Sequence, residues 1–233
     1  MAFTDCGTLY GVSVGPGDFE QMTLGAVRCL SECEVVLLPA ASRESCFAYG
    51  IAVQACPEIA KKEIRCFPFP MTRDFMQLTQ SWNEIYEEVL EILKTGKDAA
   101  FLVIGDATVY STFSYIAERA RQDRIRCEWV NGVTSFCACA GKLQIPLVSE
   151  EEDLHIISGD SDWEKALQLS GTKVFMKLGK RLSRLKEILR SYAASGEIRV
   201  YAVSYCGMEQ EHLYFDLDEI PDEAGYLTTI IVK

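Results

Sequence analysis

Residues 9–18 read LYGVSVGPGD, a short apolar run that stops abruptly at Gly15-Pro16-Gly17-Asp18. Val12 and Val14 favour a buried strand, and the Gly-Pro-Gly-Asp tetrapeptide continues neither a strand nor a helix. Apolar residues then recur at helical spacing over 22–32, at Met22, Ala26, Val27 and Leu30. Strand, turn and helix in that order open a βα unit, and the pattern repeats. Glu34 to Leu38 predicts a strand ended by Pro39. A helix is expected near 47–55, and a strand at Ile64 to Phe67 ahead of Pro68 and Pro70. Residues 74–94 carry the strongest helical pattern, with Trp82, Ile85, Val89, Ile92 and Leu93 on one side and Glu84, Glu87, Glu88 and Glu91 mostly elsewhere. Ala99 to Ile104, AAFLVI, is a third apolar run, closed by Gly105-Asp106. Strands alternating with helices predict an α/β fold whose first half is a parallel sheet covered on both faces.

The second half reads differently. After a helical stretch at 110–122, Arg126 to Val130 predicts a strand, Asn131-Gly132 a turn, and 135–142 a short helix of small residues. Further strands are expected at Leu154 to Ser158, Lys173 to Met176, Arg199 to Val203, Glu211 to Phe215 and Thr228 to Val232. The last of these lie close together without helices between them, which predicts a mixed sheet. The expected division is a domain of residues 1–115 and one of 116–233.

Composition narrows the function classes. With 23 Lys+Arg against 34 Asp+Glu the net charge is −11, a field that repels a phosphate backbone and argues against a nucleic-acid partner. No apolar stretch is long enough for a membrane-spanning helix, so no membrane partner is expected. The opening MAFTDCGTLYG has no basic cluster ahead of an apolar core, which predicts no secretory signal and a cytoplasmic protein. The 10 cysteines are irregularly spaced with no C-x-x-C, and the 2 histidines, His155 and His212, lie far apart, so no protein-bound metal is expected. Free thiols in this number fit a reducing compartment. No cysteine has a Lys, Arg or His arrangement that the sequence alone would make reactive, which disfavours a redox sensor.

Three segments could carry chemistry. GVSVGPGD, Gly11 to Asp18, sits between a strand and a helix, where glycines let backbone approach a ligand. It lacks the third glycine of a dinucleotide fingerprint and the Gly-Lys-Ser/Thr of a phosphate loop, and a plain structural turn accounts for it equally well. IGDATVYST, Ile104 to Thr112, closes the third apolar strand at the sheet edge where α/β proteins bind ligands. There Asp106 could accept hydrogen bonds from a ligand, and Thr108 and Ser111 could simply cap the next helix. In NGVTSFCACAG, Asn131 to Gly141, Thr134 or Ser135 is the expected N-cap of a helix, a structural reading sufficient by itself. Three strand-to-helix loops converging on one edge are harder to explain structurally.

Taken in order, GVSVGPGD, IGDATVYSTFSYI, NGVTSFCACAGKLQIPL, VFMKLGK and the terminal TTIIVK resemble the tetrapyrrole (corrin/porphyrin) methylases over nearly the whole chain. Within that family TVYSTFSYI and the length of 233 residues are most similar to the branch that methylates carbon 20 of precorrin-2 or cobalt-factor II. Ala107 departs from the family's usual proline after Gly-Asp, a change expected to loosen the loop without removing a functional group.

The resemblance implies the two-domain fold of class III methyltransferases, with a parallel N-terminal sheet, a mixed C-terminal sheet and the active site in the cleft between, and a homodimer. It implies S-adenosylmethionine as methyl donor, leaving as S-adenosylhomocysteine, a tetrapyrrole substrate and cobalt, if any, within that substrate. Carried over position by position, the cofactor-binding residues are Pro16, Ile104, Gly105, Asp106, Val109, Thr134, Ser135, Met176, Tyr205, Gly207 and Thr229. Met176 also reads as an ordinary core methionine. A carbon that gains a methyl must lose its proton; Asp106 is the first candidate base, then Tyr110 or Tyr205, and water could suffice. The substrate's carboxylates require local positive charge. Arg43, Lys61, Lys62, Arg65, Arg73, Lys177, Lys180, Arg181 and Arg184 are available, with Arg43 and Lys177 preferred. The same fold could instead serve another corrinoid position, ribosomal RNA or a protein, or hold its ligand without turnover.

Overall fold

The computed structural model describes residues 6–70, 72, 74–196 and 198–233, and it divides into two compact units, Met1–Thr134 and Ser135–Lys233. In the first unit the order is β1 (Leu9–Ser13), α1 (Leu24–Glu32), β2 (Val35–Leu38), α2 (Phe47–Ala55), β3 (Glu63–Cys66), α3 (Phe75–Leu93), β4 (Ala99–Val103), α4 (Phe113–Gln122) and β5 (Cys127–Val130). All five strands are parallel, in the order β3-β2-β4-β1-β5. Every residue of β2 and β4 is buried, as the unbroken apolar runs VVLL and AAFLV require of interior parallel strands. The edge strands β3 and β5 carry Glu63, Arg65 and Glu128, charges that blunt an open sheet edge.

Helices α3 and α4 bury Ile85, Tyr86, Val89, Leu90, Phe113 and Ile116 against Leu9, Val35, Leu37 and Phe101 of the sheet. Asp74 caps α3, accepting from the N–H of Met76 at 2.9 Å. Trp82, expected on the buried side, is only half-buried and stacks on Tyr115 with ring centroids 3.6 Å apart. On other surfaces of the sheet α1 packs against β1 and β5, and α2 against β4. Among the described residues no helix is long and apolar enough to cross a membrane.

The second unit contains α5 (Ser135–Lys142), β6 (Leu154–Ser158), α6 (Trp163–Leu167), β7 (Thr172–Met176), α7 (Leu182–Ala194), β8 (Val200–Ser204), β9 (His212–Tyr214) and β10 (Thr228–Val232). The sheet order is β6-β7-β10-β8-β9, mixed as expected: β6 and β7 are parallel, and β10 is antiparallel to both of its neighbours. Strands β7 and β8 therefore run the same way on either side of β10. Helices α6 and α7 cover one face, placing Trp163, Leu182, Leu185 and Leu189 on Phe175, Ala202 and Ile230.

Two expectations are corrected here. The division between residues 115 and 116 moves to 134/135, because β5 pairs with β1 from Leu9↔Cys127 to Val12↔Val130 and the chain cannot leave the first sheet sooner. Helix α7 has no counterpart in the expected elements. Its Leu182, Leu185 and Leu189 nevertheless recur at helical spacing and are fully buried.

Candidate functional site

At the C-terminal edge of the first sheet, adjacency of β4, β1 and β5 brings the loops that follow them together. The first two are joined backbone to backbone. The N–H of Gly105 donates to the carbonyl of Gly15 at 2.7 Å and the N–H of Gly15 returns a bond to that of Gly105 at 3.2 Å. Both have φ in the left-handed region, +74° and +75°, where a side chain would be strained. The N–H of Ala107 donates to Ser13 Oγ at 2.9 Å. A proline at 107 has no N–H to give. The departure expected to loosen this loop thus adds a tether to it.

Asp106 ties the second loop to the third. One carboxylate oxygen accepts from the N–H of Thr108 at 2.8 Å and from the Thr108 hydroxyl. The other accepts from the N–H of Gly132 at 2.8 Å and from Asn131 Nδ2 at 3.3 Å. The side chain is 6% exposed. Burial alone would raise its pKa, but hydrogen bonds from the Thr108 hydroxyl, the Gly132 and Thr108 N–H groups and Asn131 outweigh it and hold the carboxyl below its ordinary value. An ionised carboxylate with both oxygens engaged is a weak proton acceptor, so the geometry makes Asp106 an organiser of loops. The third loop is also joined to the first helix: Thr23 caps α1 at the N–H of Ala26, 3.1 Å, and its hydroxyl donates to the Asn131 carbonyl at 3.2 Å.

Other expected residues fall at this edge. Pro16 and Gly105 are buried, Ile104, Val109, Thr134 and Ser135 are half-buried, and Tyr110 is 42% exposed. Helix α5 starts at Ser135, with Thr134 at the position before it. Ser111 accepts from the N–H of Phe113 at 3.0 Å at the start of α4, whereas Thr108 does not cap that helix because its hydroxyl serves Asp106. Arg43 is exposed in the loop after β2, in a turn closed by Ser42 and Ser45, whose hydroxyl accepts from Ser42 N–H at 3.1 Å. Of the remaining cations, Lys62 is committed to the carbonyls at the end of α1, Arg65 to Glu63 and Arg181 to Asp160. Arg73 lies outside the described residues.

In the second unit the ends of β7 and β8 and the start of β10 form one edge, and Met176, Lys177, Tyr205, Gly207 and Thr229 gather there. The register sets Thr228 opposite Ser204 and Thr229 opposite Val203. Thr228 donates to the Ala224 carbonyl at 2.7 Å, so Ser204 donates to Thr228 across 2.9 Å. The N–H of Tyr205 donates to the Leu227 carbonyl at 2.9 Å, and that of Gly207 to Glu211, whose other oxygen lies 3.3 Å from Lys142. Lys177 places its ammonium 5.7 Å from the centre of the Tyr226 ring.

Five described residues other than glycine have positive φ: Tyr110, Arg124, Gln144, Lys177 and Tyr205. Arg124 and Gln144 follow the ends of α4 and α5, where a left-handed residue is ordinary. Lys177 and Tyr205 directly follow β7 and β8 and Tyr110 lies in the loop between β4 and α4, and strained backbone of this kind concentrates at functional sites. Nothing in their residue types announces that strain. Asn131, Gly132 and Ser13 lie in the segments singled out from the sequence, but the sequence assigns no individual role to them there.

The model of the Tetrapyrrole (Corrin/Porphyrin) Methylases matches residues 8–221, and the chain belongs to that family. The cobalt-precorrin-2 C(20)-methyltransferase of Salmonella typhimurium is 31% identical over 237 residues, covering 97% of this chain and 96% of that protein. The probable cobalt-precorrin-2 C(20)-methyltransferase of Methanocaldococcus jannaschii is 35% identical over 182 residues, 76% of each chain. Among solved structures, a cobalt precorrin-4 methyltransferase aligns with a TM-score of 0.74 at 17% identity, over 97% of this chain and 94% of that one. Uroporphyrin-III C-methyltransferase from Thermus thermophilus, complexed with S-adenyl homocysteine, aligns at 0.67 and 19% identity over 97% of both chains.

Proposed function

We propose that this protein is an S-adenosylmethionine-dependent methyltransferase acting on carbon 20 of precorrin-2 or of its cobalt form, cobalt-factor II, in cobalamin synthesis. The observation that carries this reading is the match to the Salmonella typhimurium enzyme along almost the full length of both proteins. The residues present fit the cofactor. Gly15 and Gly105 hold left-handed backbone at this edge, Thr134 and Ser135 add hydroxyls, and Ile104 and Val109 add half-buried apolar surface. When bound, the cofactor supplies an electrophilic methyl group on a sulfonium sulfur.

The residues assigned to holding and orienting it are Pro16, Ile104, Gly105, Asp106, Val109 and Thr134 in the first unit and Ser135, Met176, Tyr205, Gly207 and Thr229 in the second. Alignment and exclusion of water are the main protein contributions to such a displacement. Asp106 contributes by locking the loops. Proton removal from the methylated carbon falls to Tyr110, further along the same loop, or to water. Arg43 and Lys177 receive substrate carboxylates. The protein works as a cytoplasmic homodimer, which light scattering checks.

The test is anaerobic incubation with S-adenosylmethionine and either precorrin-2 or cobalt-factor II, read by mass spectrometry. A gain of one methyl on either ring supports the reading and identifies which ring it takes; no gain on either, with the cofactor bound, refutes it. Arg43→Glu and Lys177→Glu are each expected to raise the substrate KM by about tenfold, the scale of one charge-assisted contact, with little change in kcat. Unchanged KM in both variants removes these two residues from the substrate site.

A further inference from the structure

Cys29 lies in α1 and Cys33 ends that helix four residues later, so their side chains fall on one helix face. Their sulfurs are 3.8 Å apart, with Cys29 8% and Cys33 2% exposed. Helix geometry sets the two Cα atoms about 6 Å apart, inside the roughly 4.4–6.8 Å span that a disulfide bridges. The Cβ atoms, about 5–6 Å apart, must close to about 3.5–4.5 Å, a movement that falls on Cys33, where the chain leaves α1 after Glu32. Lys62 holds a positive charge beside them, its ammonium 2.6 Å from the carbonyls of Leu30, Ser31 and Cys33. Among the described residues no group of three His, Cys, Asp or Glu side chains is placed to hold a metal ion, so the chemistry here is that of a thiol pair.

The hydrogen bond from Cys33 keeps the Cys29 thiol below its ordinary pKa, against burial and the carboxylates of Glu32, Asp98 and Glu128; the same bond and burial push Cys33 upward. The bond thus favours ionisation of Cys29 over that of Cys33. The pair adjoins Asp98, which precedes β4, at the edge of the first sheet opposite the three loops.

We propose that Cys29 and Cys33 form a redox-active dithiol that closes into a disulfide on meeting a low-molecular-weight disulfide. Cys29 thiolate attacks one sulfur of that oxidant, forming a mixed disulfide and releasing one thiolate. Cys33 then gives up its proton and attacks Cys29, releasing the second. The two protein thiols lose two electrons and two protons, and the small disulfide is reduced to two thiols. Nothing in this step depends on the methyltransferase reading.

The experiment treats the full-length protein with oxidised glutathione, blocks remaining thiols with N-ethylmaleimide, and maps tryptic peptides by mass spectrometry. The expected result is a peptide spanning Cys29 to Arg43 that is lighter by two hydrogens, carries no label and returns to the doubly labelled form after dithiothreitol. Exposed Cys137, recovered as a glutathione adduct, shows that the oxidant reached the protein. Cys33→Ala is expected to leave Cys29 as a stable glutathione adduct. The proposal is overturned if Cys137 reacts while the Cys29–Arg43 peptide of folded wild type stays doubly labelled, or if it carries glutathione on both cysteines.

Discussion

Replacement of Asp106 by alanine is expected to weaken S-adenosylmethionine binding by at least about tenfold, roughly 1.4 kcal/mol, and to destabilise the first unit by about 2–4 kcal/mol. The carboxylate receives the N–H groups of Thr108 and Gly132, the Thr108 hydroxyl and Asn131, and it is buried. Alanine leaves those donors without an acceptor, and each costs more unsatisfied than it contributed when paired. Asp106→Asn separates two roles. An amide retains one acceptor but turns an NH2 toward N–H donors, so a loop organiser predicts loss of affinity and stability together. A catalytic base predicts lost turnover with affinity preserved. Calorimetric titration with the cofactor and urea denaturation measure both quantities, and wild-type affinity in the alanine variant would remove Asp106 from the cofactor site.

The same residue makes a pH prediction. Its folded-state pKa lies below the ordinary carboxyl value of 3.8. A carboxyl depressed on folding contributes stability that is complete above its unfolded pKa and is lost as pH falls through the folded one. The stability difference between wild type and Asp106→Ala is therefore expected to be constant near neutrality and to shrink below about pH 4.

Gly132→Ala is expected to cost about 1–3 kcal/mol, the range for forcing extra volume into a packed site, and to weaken cofactor binding by about tenfold. A Cβ at 132 would lie 2.5 Å from Ser13 Cβ and 2.7 Å from the Gly105 carbonyl oxygen. Neither neighbour can yield cheaply, since Ser13 ends β1 and the Gly105 carbonyl accepts from Gly15. The three loops would separate. Gly50→Ala serves as control, because a Cβ there meets nothing within 4 Å in the middle of α2, and alanine is the better helix former by about 0.5–1 kcal/mol. Urea midpoints at constant slope should move in opposite directions for the two variants; a wild-type midpoint and affinity in Gly132→Ala would show that the close approach does not matter.

The amino-acid sequence by itself determined the strands, most helices and the convergence of three loops. VVLL and AAFLV have no polar position to expose, so only interior parallel strands suit them, and parallel strands place their following loops on one edge. Leu154 to Ser158 and Thr228 to Val232 are strands over the residues expected. Helix α7 was legible too, since its leucines keep helical spacing. Only the tertiary structure decided what depends on contacts between distant residues. Pairing of Cys127 to Val130 with β1 moved the domain boundary, and stacking on Tyr115 half-exposed Trp82. The bond from Ala107 to Ser13 spans 94 positions, so no local reading could find that the missing proline is compensated. Asp106 reads in sequence as an acid available for catalysis. Folding surrounds it with donors from two loops and commits it to structure, because a buried charge must be satisfied where it stands.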